Sequence, residues 1–512
     1  MHSKEVVLGV DIGTSALKAI LCTLDGSIIA EVTQNYTPLR PKPGWVEHNP
    51  EEWWHALCAA ALEARHILDA HNLELIAVGL THQRMTFIPV DPAGKPLSNA
   101  ILWNDTRCVA ETRWVEEKLG KSTVFKATGC PPGMWSVYKI LWIKRNNPLL
   151  YEKTWKFVLV NDFVNYRLTN NWVTTQSAAI LTGALDVEHL TWHADFLKEL
   201  GLSVEKMVDS IVPGCVLAGR VTKAAAEVTH LPEGTPVFTA AGDQPCGSLA
   251  AGMTKPGVVA INGGSSCTIE MLCDALPERT TPDYFIEIFP DGRYIIENSI
   301  YTGSGTLLSW FKDKWWNITQ LPRKEKNMWT TIFDTLEKIP PGSSGMLLVP
   351  FLSGAGAPFW DLEAKGALIG LSLHHSVHEL GRAILEGIAY EVRRSIESFQ
   401  RATNNVVQKM LLYGGSSRSS LWNQILSDVT GLPAAVPTTP ETTALGAAIC
   451  AAVGCGAYED LCTAVETMVH YATNIETNAE NYRIYEKLYT IYYDVYELLK
   501  HKFKAIDEFV RD

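Results

Sequence analysis

Hydrophobic positions near the start fall in two runs, VVLGV (6–10) and ALKAILCTL (16–24), on either side of a polar centre made of Asp11, Gly13, Thr14 and Ser15. Short apolar runs broken by Gly and hydroxyl residues predict two β-strands joined by a tight turn. The carboxylate admits two explanations. Asp11 can be a turn former that satisfies its own backbone, or it can orient a metal ion at a phosphate site where Gly13 lets the backbone approach the ligand.

The same pattern returns at half length. GVVAINGGSSCTIEML (257–272) overlays the opening stretch without a gap, at an offset of 251 residues, with Gly264 at the place of Gly13 and Ser265-Ser266 at the place of Thr14-Ser15. Such an offset predicts two similar domains. Asp11 becomes Asn262 in the second copy, so only the first turn offers a charged metal ligand, while both can donate amides and hydroxyls to a polyphosphate.

Further segments predict α/β halves. LIAVGLTHQRMTFIPVD (75–91) reads as strand with a polar break at 81–85. VFTAAGDQPCGSLAAGM (237–253) and KMLLYGGSSRSSLWNQILSDVTG (409–431) each read as strand, turn and helix. Leu421, Trp422, Ile425, Leu426 and Val429 form a core-facing stripe on the latter helix. Tyr482, Tyr485, Tyr489, Tyr492, Tyr496 and Leu499 recur at steps of three and four and predict one face of a long terminal helix.

At 512 residues the chain is too long for one core. Its hydrophobic share of 46% and charged share of 20% are those of an ordinary globular protein. A net charge of −12 with no basic block argues against nucleic acid or an anionic membrane as partner. The opening residues lack a secretory leader and no run reaches the roughly 18 apolar residues of a membrane span, so a cytoplasmic location is expected. Eleven scattered cysteines without a C-x-x-C pair read as reduced thiols.

Asp243, between a strand and a small-residue helix, suits either a helix cap or a general base accepting a proton from a substrate hydroxyl; beside phosphate turns the second explanation is sharper. Arg84 and Met85, with Trp103 and Asp105, stand at the ends of probable strands and could meet a polyhydroxylated ligand. The diglycine turn Gly414-Gly415 opens a helix and suits a nucleotide. The Walker, zincin and protein-kinase motifs are absent.

These segments, in order, resemble the FGGY family of carbohydrate kinases within the actin, hexokinase and Hsp70 ATPase superfamily. The resemblance rests on VDIGTSALK, GWVEHNPEEWW, ILWNDTR and AAGDQ in the first half. In the second it rests on PFLSGAGAPFWDLEAKGALIGLSLHHSVHELGRAILEGIAYEVR, YGGSSRSSLWNQILSDVTGLPAAVP and ETTALGAAICAAVG. It implies an α/β fold of two ribonuclease-H-like domains around a central cleft. Residues 1–247 would bind sugar and supply the base, residues 248–455 would bind ATP, and 456–512 would form a helical segment.

The resemblance implies that Asp243 takes the proton from the attacking hydroxyl and that Asp11 is the carboxylate associated with Mg2+. It sets Thr14, Ser15 and Lys18 near the phosphates, Gly264 and Ser265 in the second phosphate turn, Gly305 and Ser309 on ATP, and Gly414, Gly415 and Ser419 at the adenosine. Arg84, Met85, Trp103, Asp105, Trp135 and Gln244 would line the sugar site. A small sugar or polyol is the implied substrate, and a homodimer is compatible with the family. WNDTR and GWVEHNPEEWW are similar to xylulokinases, which usually carry Met-His where this chain has Arg84-Met85. Glycerol kinases carry Arg-Glu there, and GDQ matches them. A pentulose such as xylulose is therefore expected first and glycerol, another polyol or a sugar acid second. An ATP-gated binding protein on the same fold is the remaining alternative.

Overall fold

In the computed structural model, which describes residues 4–316 and 328–511, the opening runs form β1 (Glu5–Ile12) and β2 (Ala16–Thr23), paired antiparallel. They are followed by β3 (Ile28–Asn35), β4 (Glu74–His82), β5 (Leu217–Arg220) and β6 (Pro236–Thr239), and the sheet order is β5-β6-β4-β1-β2-β3. Beside β1, strand β4 is parallel. Alternate residues Val6, Leu8 and Val10 of β1 are buried together with Trp53, Leu57, Ala60, Ala61 and Ala64 of helix Pro50–His71. That helix begins where Asn49 accepts the Glu51 N–H and Pro50 fits the first turn. On the other face of the sheet, helix Thr442–Gly454 brings its backbone against Gly9 and Gly79.

The second half repeats this plan with β7 (Val258–Gly263), β8 (Cys267–Leu272), β9 (Tyr294–Ile300), β10 (Lys409–Tyr413), β11 (Ala434–Pro437) and β12 (Tyr471–Ile475), neighbours in the order β9-β8-β7-β10-β11-β12. As β1 pairs with β2 and β4, so β7 pairs antiparallel with β8 and parallel with β10. The predicted helix over the 421–429 stripe is Ser420–Thr430, with all five stripe residues buried.

Three expectations need correction. The gapless overlay fails after the turn: Asp11 pairs with Lys18, whereas its counterpart Asn262 pairs with Thr268, so the second turn is one residue shorter. The terminal tyrosine face is split over two helices, Ala479–Tyr493 and Val495–Arg511. Four of its six members, Tyr485, Tyr489, Tyr492 and Tyr496, are buried, while Tyr482 and Leu499 are partly buried. Their hydroxyls reach carboxylates of the second unit, for example Tyr485 to Glu386 at 2.8 Å and Tyr492 to Glu391 at 2.7 Å.

The chain is also less sequentially divided than expected. One unit comprises Met1–Thr254, Cys273–Ile295 and Glu441–His470, and the other Lys255–Leu272, Ile296–Pro440 and Tyr471–Asp512. Residues assigned by sequence to the second domain, including helix Thr442–Gly454, thus belong to the first unit's core, because its alanine-rich face fits close against a sheet.

Candidate active site

In the first unit, Asp11 is the penultimate residue of β1, beside Thr81 of β4 and opposite Lys18 of β2. Its Oδ1 is buried and has no hydrogen-bond partner among the described residues. Burial, reinforced by the nearby Asp243 charge, pushes its pKa up to about 8, against a lowering by Lys18. A desolvated carboxylate in this state fits a cation, which would supply the missing partner. Lys18, expected at the phosphates, donates to both oxygens of Glu441 at 2.9 and 2.7 Å.

The turn after β1 is tied together by side chains. Tyr36 Oη donates to the Gly13 carbonyl at 2.7 Å, and the Gln83 amide donates to the same carbonyl at 3.0 Å. Thr14 donates to Gln83 Oε1 at 3.4 Å and receives the Trp103 indole N–H at 3.0 Å. Trp103 is 37% exposed, so part of its ring is open to solvent. Its chain is held from below: the buried Lys139 ammonium donates to the Leu102 and Trp103 carbonyls at 2.6 and 2.7 Å. Ser15 is exposed in the same turn.

Asp243 is the first residue of helix Asp243–Ala251, after Gly242. Its Oδ1 accepts the Gln244 N–H at 3.0 Å and lies 3.1 Å from Arg84 Nε. Arg84 reaches on to Glu287, on the short strand Phe285–Ile288, with Nη1 3.0 Å from Oε2. Gly242 makes this possible: a Cβ there would stand 2.5 Å from Arg84 Cγ, so the arginine stem lies across bare backbone. Met85 follows with φ of 62°, a left-handed conformation uncommon outside glycine, and its carbonyl is held by Ser136 Oγ at 2.8 Å.

Of two further residues expected at the sugar site, one has its side chain fully engaged and the other is buried. Asp105 is fully buried, accepting the Val46 N–H at 2.6 Å and three bonds from Arg107, which also reaches Glu47. It is a latch behind Trp103, with its acceptor capacity already used. Trp135 is buried against Phe285, with ring centroids 5.3 Å apart and its N–H on the Pro131 carbonyl. Gln83, Glu287 and Glu441 had no signal strong enough to single them out. Gln83 lies inside the 75–91 segment and Glu441 inside one that carries the family resemblance, but Glu287 and Glu441 meet their partners 203 and 423 residues away in sequence.

In the second unit, the turn after β7 docks on the start of helix Ser304–Phe311. The Gly305 N–H donates to the Gly264 carbonyl at 3.0 Å, and the Gly303 N–H and Thr306 hydroxyl donate to the Ser265 carbonyl, both at 2.9 Å. Ser309 lies one turn along the same helix. Gly414 has φ of 81°, and a Cβ there would stand 2.2 Å from Asn262 Oδ1. This close approach keeps the diglycine turn against the end of β7, and Ser304 Oγ meets Ser416 Oγ at 2.6 Å. Gly415 is open on its Cβ side, its nearest atom being Gly263 O at 4.0 Å. Ser419 caps helix Ser420–Thr430 by accepting the Trp422 N–H. The second unit thus gathers Gly264, Ser265, Gly305, Gly414 and Gly415 at one end of its sheet.

A β-sheet of this order built twice, each copy with a hydroxyl-bearing turn after its central strand, defines the ribonuclease-H-type fold of the actin and hexokinase class. Residues 6–250 match the FGGY family of carbohydrate kinases, N-terminal domain, and residues 258–455 match its C-terminal domain; the chain belongs to this family. Xylulose kinase of Bacillus subtilis (strain 168) is 29% identical over 505 residues, covering 98% of this chain and 99% of that protein. Glycerol kinase of Saccharolobus islandicus is 30% identical over 477 residues, 90% of each. The crystal structure of gluconate kinase from Lactobacillus acidophilus superposes with a TM-score of 0.90 at 22% identity, over 98% of this chain and 99% of that one. The protein is a carbohydrate kinase, a phosphotransferase using ATP. No helix among the described residues is long and apolar enough to cross a membrane.

Proposed function

We propose that the protein transfers the γ-phosphoryl group of ATP to a hydroxyl of a pentulose, with xylulose first and glycerol second. The carrying observation is the Asp243–Arg84 pair at 3.1 Å: a carboxylate fixed at a helix start, 28% exposed on its side chain, beside a guanidinium with its stem laid on backbone. Asp243 accepts the proton of the attacking hydroxyl, and Arg84 holds that carboxylate charged and aimed. Trp103, 37% exposed, is assigned to the sugar carbons, and Met85 and Gln244 to the same site. The kinship to xylulose kinase favours the pentulose; Arg84 and the Gly242-Asp243-Gln244 run favour the glycerol reading.

Asp11 is the residue we assign to Mg2+, for which its unpartnered buried oxygen is suited. The ion would neutralise charge on the phosphates. Thr14, Ser15 and Lys18 are assigned to the phosphates, and Gly264, Ser265, Gly305, Ser309, Gly414, Gly415 and Ser419 to ATP. We further infer a cytoplasmic enzyme acting without nucleic acid, and a homodimer to be checked by light scattering.

The deciding experiment is ADP release from MgATP across D- and L-pentuloses, pentitols, tetritols, glycerol and gluconate, with Asp243→Asn as control. One preferred substrate, silent in the control, supports the assignment. Sugar-independent ADP release would overturn it.

A further inference from the structure

Glu287 is an unusual residue for its place. Its side chain is fully buried, it lies in the apolar strand FIEI, and it is 203 residues from the arginine it meets. Burying a carboxylate costs several kcal/mol unless it is paired, so its position is explained by what it does to Arg84. One oxygen accepts the Ile288 N–H at 2.8 Å, which fixes the carboxylate to its own strand. The other takes Arg84 Nη1 at 3.0 Å. The strand itself is anchored, since the Ile286 N–H donates to the Gly129 carbonyl at 2.8 Å and Phe285 packs on Trp135. Arg84 therefore cannot swing freely: its Nε faces Asp243, its Nη1 faces Glu287, and its stem is pressed on Gly242.

The charges decide what such a clamp admits. The Arg84 guanidinium is shared between Asp243 and Glu287, and the Lys18 ammonium in the neighbouring turn is engaged by Glu441. His82, two residues before Arg84, is buried and held neutral by desolvation, its pKa pushed down to about 3. A substrate carboxylate entering here would meet a guanidinium already shared by two carboxylates. A neutral hydroxyl carries no such penalty and can still accept or donate at the cluster's edge.

Building on the assignment of Asp243 and Arg84 to the sugar site, we propose that Glu287 is a positioning residue which fixes Arg84 on Asp243 and selects uncharged polyols and ketoses against aldonic acids. This separates the chain in specificity from the gluconate kinase whose fold it shares.

The test is steady-state kinetics of the full-length protein with MgATP and D-xylulose, glycerol or D-gluconate, for the unmodified chain and for Glu287→Gln and Glu287→Asp. The unmodified protein is expected to have a kcat/KM for gluconate at least about 100-fold below that for its better neutral substrate. Glu287→Gln should raise the gluconate-to-neutral ratio by about 10-fold or more while raising the neutral KM, and Glu287→Asp, which keeps the charge, should leave the ratio within about 3-fold of the original. A protein that prefers gluconate overturns the proposal and leaves the kinase site intact. An equal loss on all substrates in Glu287→Gln also overturns it, because a merely structural residue would behave so. If Glu287→Gln does not fold, the unmodified ratio and Glu287→Asp decide. Turnover of none of the three by folded protein would instead remove the assignment of Arg84 and Asp243 to a sugar site, and this proposal with it.

Discussion

Arg84 Nε stands 3.1 Å from Asp243 Oδ1, two residues that the chain separates by most of its first half. An ion pair with partners 9% and 28% exposed is partly desolvated, so its geometry is firmer than that of a surface pair. Replacing Asp243 by Asn keeps the shape and removes the proton acceptor. Turnover should fall by about 100- to 10,000-fold, the usual worth of a general base, with ATP affinity within about 3-fold. Single-turnover assays alongside ATP titration check this; near-normal turnover would end the base assignment.

Gly242→Ala tests the surface on which Arg84 lies. The new Cβ would sit 2.5 Å from Arg84 Cγ, and the arginine stem must lift. The sugar KM should rise about 10-fold or more, an effect of about 1.4 kcal/mol, while the ATP KM stays nearly constant. Equal changes in both constants would contradict the placement of Arg84 at the sugar.

Gly414→Ala should do the reverse. It places a side chain at φ of 81° and ψ of −176°, a region essentially reserved for glycine, and within 2.2 Å of Asn262 Oδ1, costing about 1–3 kcal/mol in backbone strain alone. The diglycine turn would part from the end of β7, raising the ATP KM by about 10-fold or more with the sugar KM little changed. Kinetics at saturating co-substrate separates the two, and a selective rise in the sugar KM would refute the nucleotide role.

Asp162 supplies a pH test remote from the site. It is the third residue of helix Val160–Thr169, where its Oδ2 accepts the Leu159 N–H at 2.8 Å, and burial pushes its pKa up to about 7. The folded state therefore holds a proton that the unfolded chain gives up near pH 4. The stability from this group is complete below about pH 4, declines as pH rises, and is lost once pH passes about 7, a change on the order of a few kcal/mol. Urea midpoints from pH 4 to 8 should fall with pH in the unmodified protein, and Asp162→Asn should flatten that fall. Parallel slopes in the two proteins would show that Asp162 does not titrate in this way.

Much of the scaffold was legible because it is written in short-range pattern. Two apolar strands around Gly13 and two around Gly264 predict hairpins, and the strand-turn-helix runs at 237–253 and 409–431 fold as such. The tyrosine period of three and four marked a buried face. The same pattern could not reveal that the second turn is one residue shorter, since turn length is fixed by ladder pairing, which only the register of Asn262 with Thr268 displays. Nor could the spacing of tyrosines show the break at Asp494 that divides their helix.

The sequence by itself determined the duplicated α/β plan, the family, and the presence of Asp11 and Asp243, because strand periodicity and local motifs act between near neighbours in the chain. Tertiary structure alone decided what those carboxylates and the expected sugar contacts face. It turned Asp105 inward to Arg107 and Val46, paired Lys18 with Glu441, and joined Arg84 to Asp243 and to Glu287. Apart from the local Asp105–Arg107 pair, these contacts join residues far apart in sequence at distances of about 3 Å, and such proximity exists only once the sheets have packed.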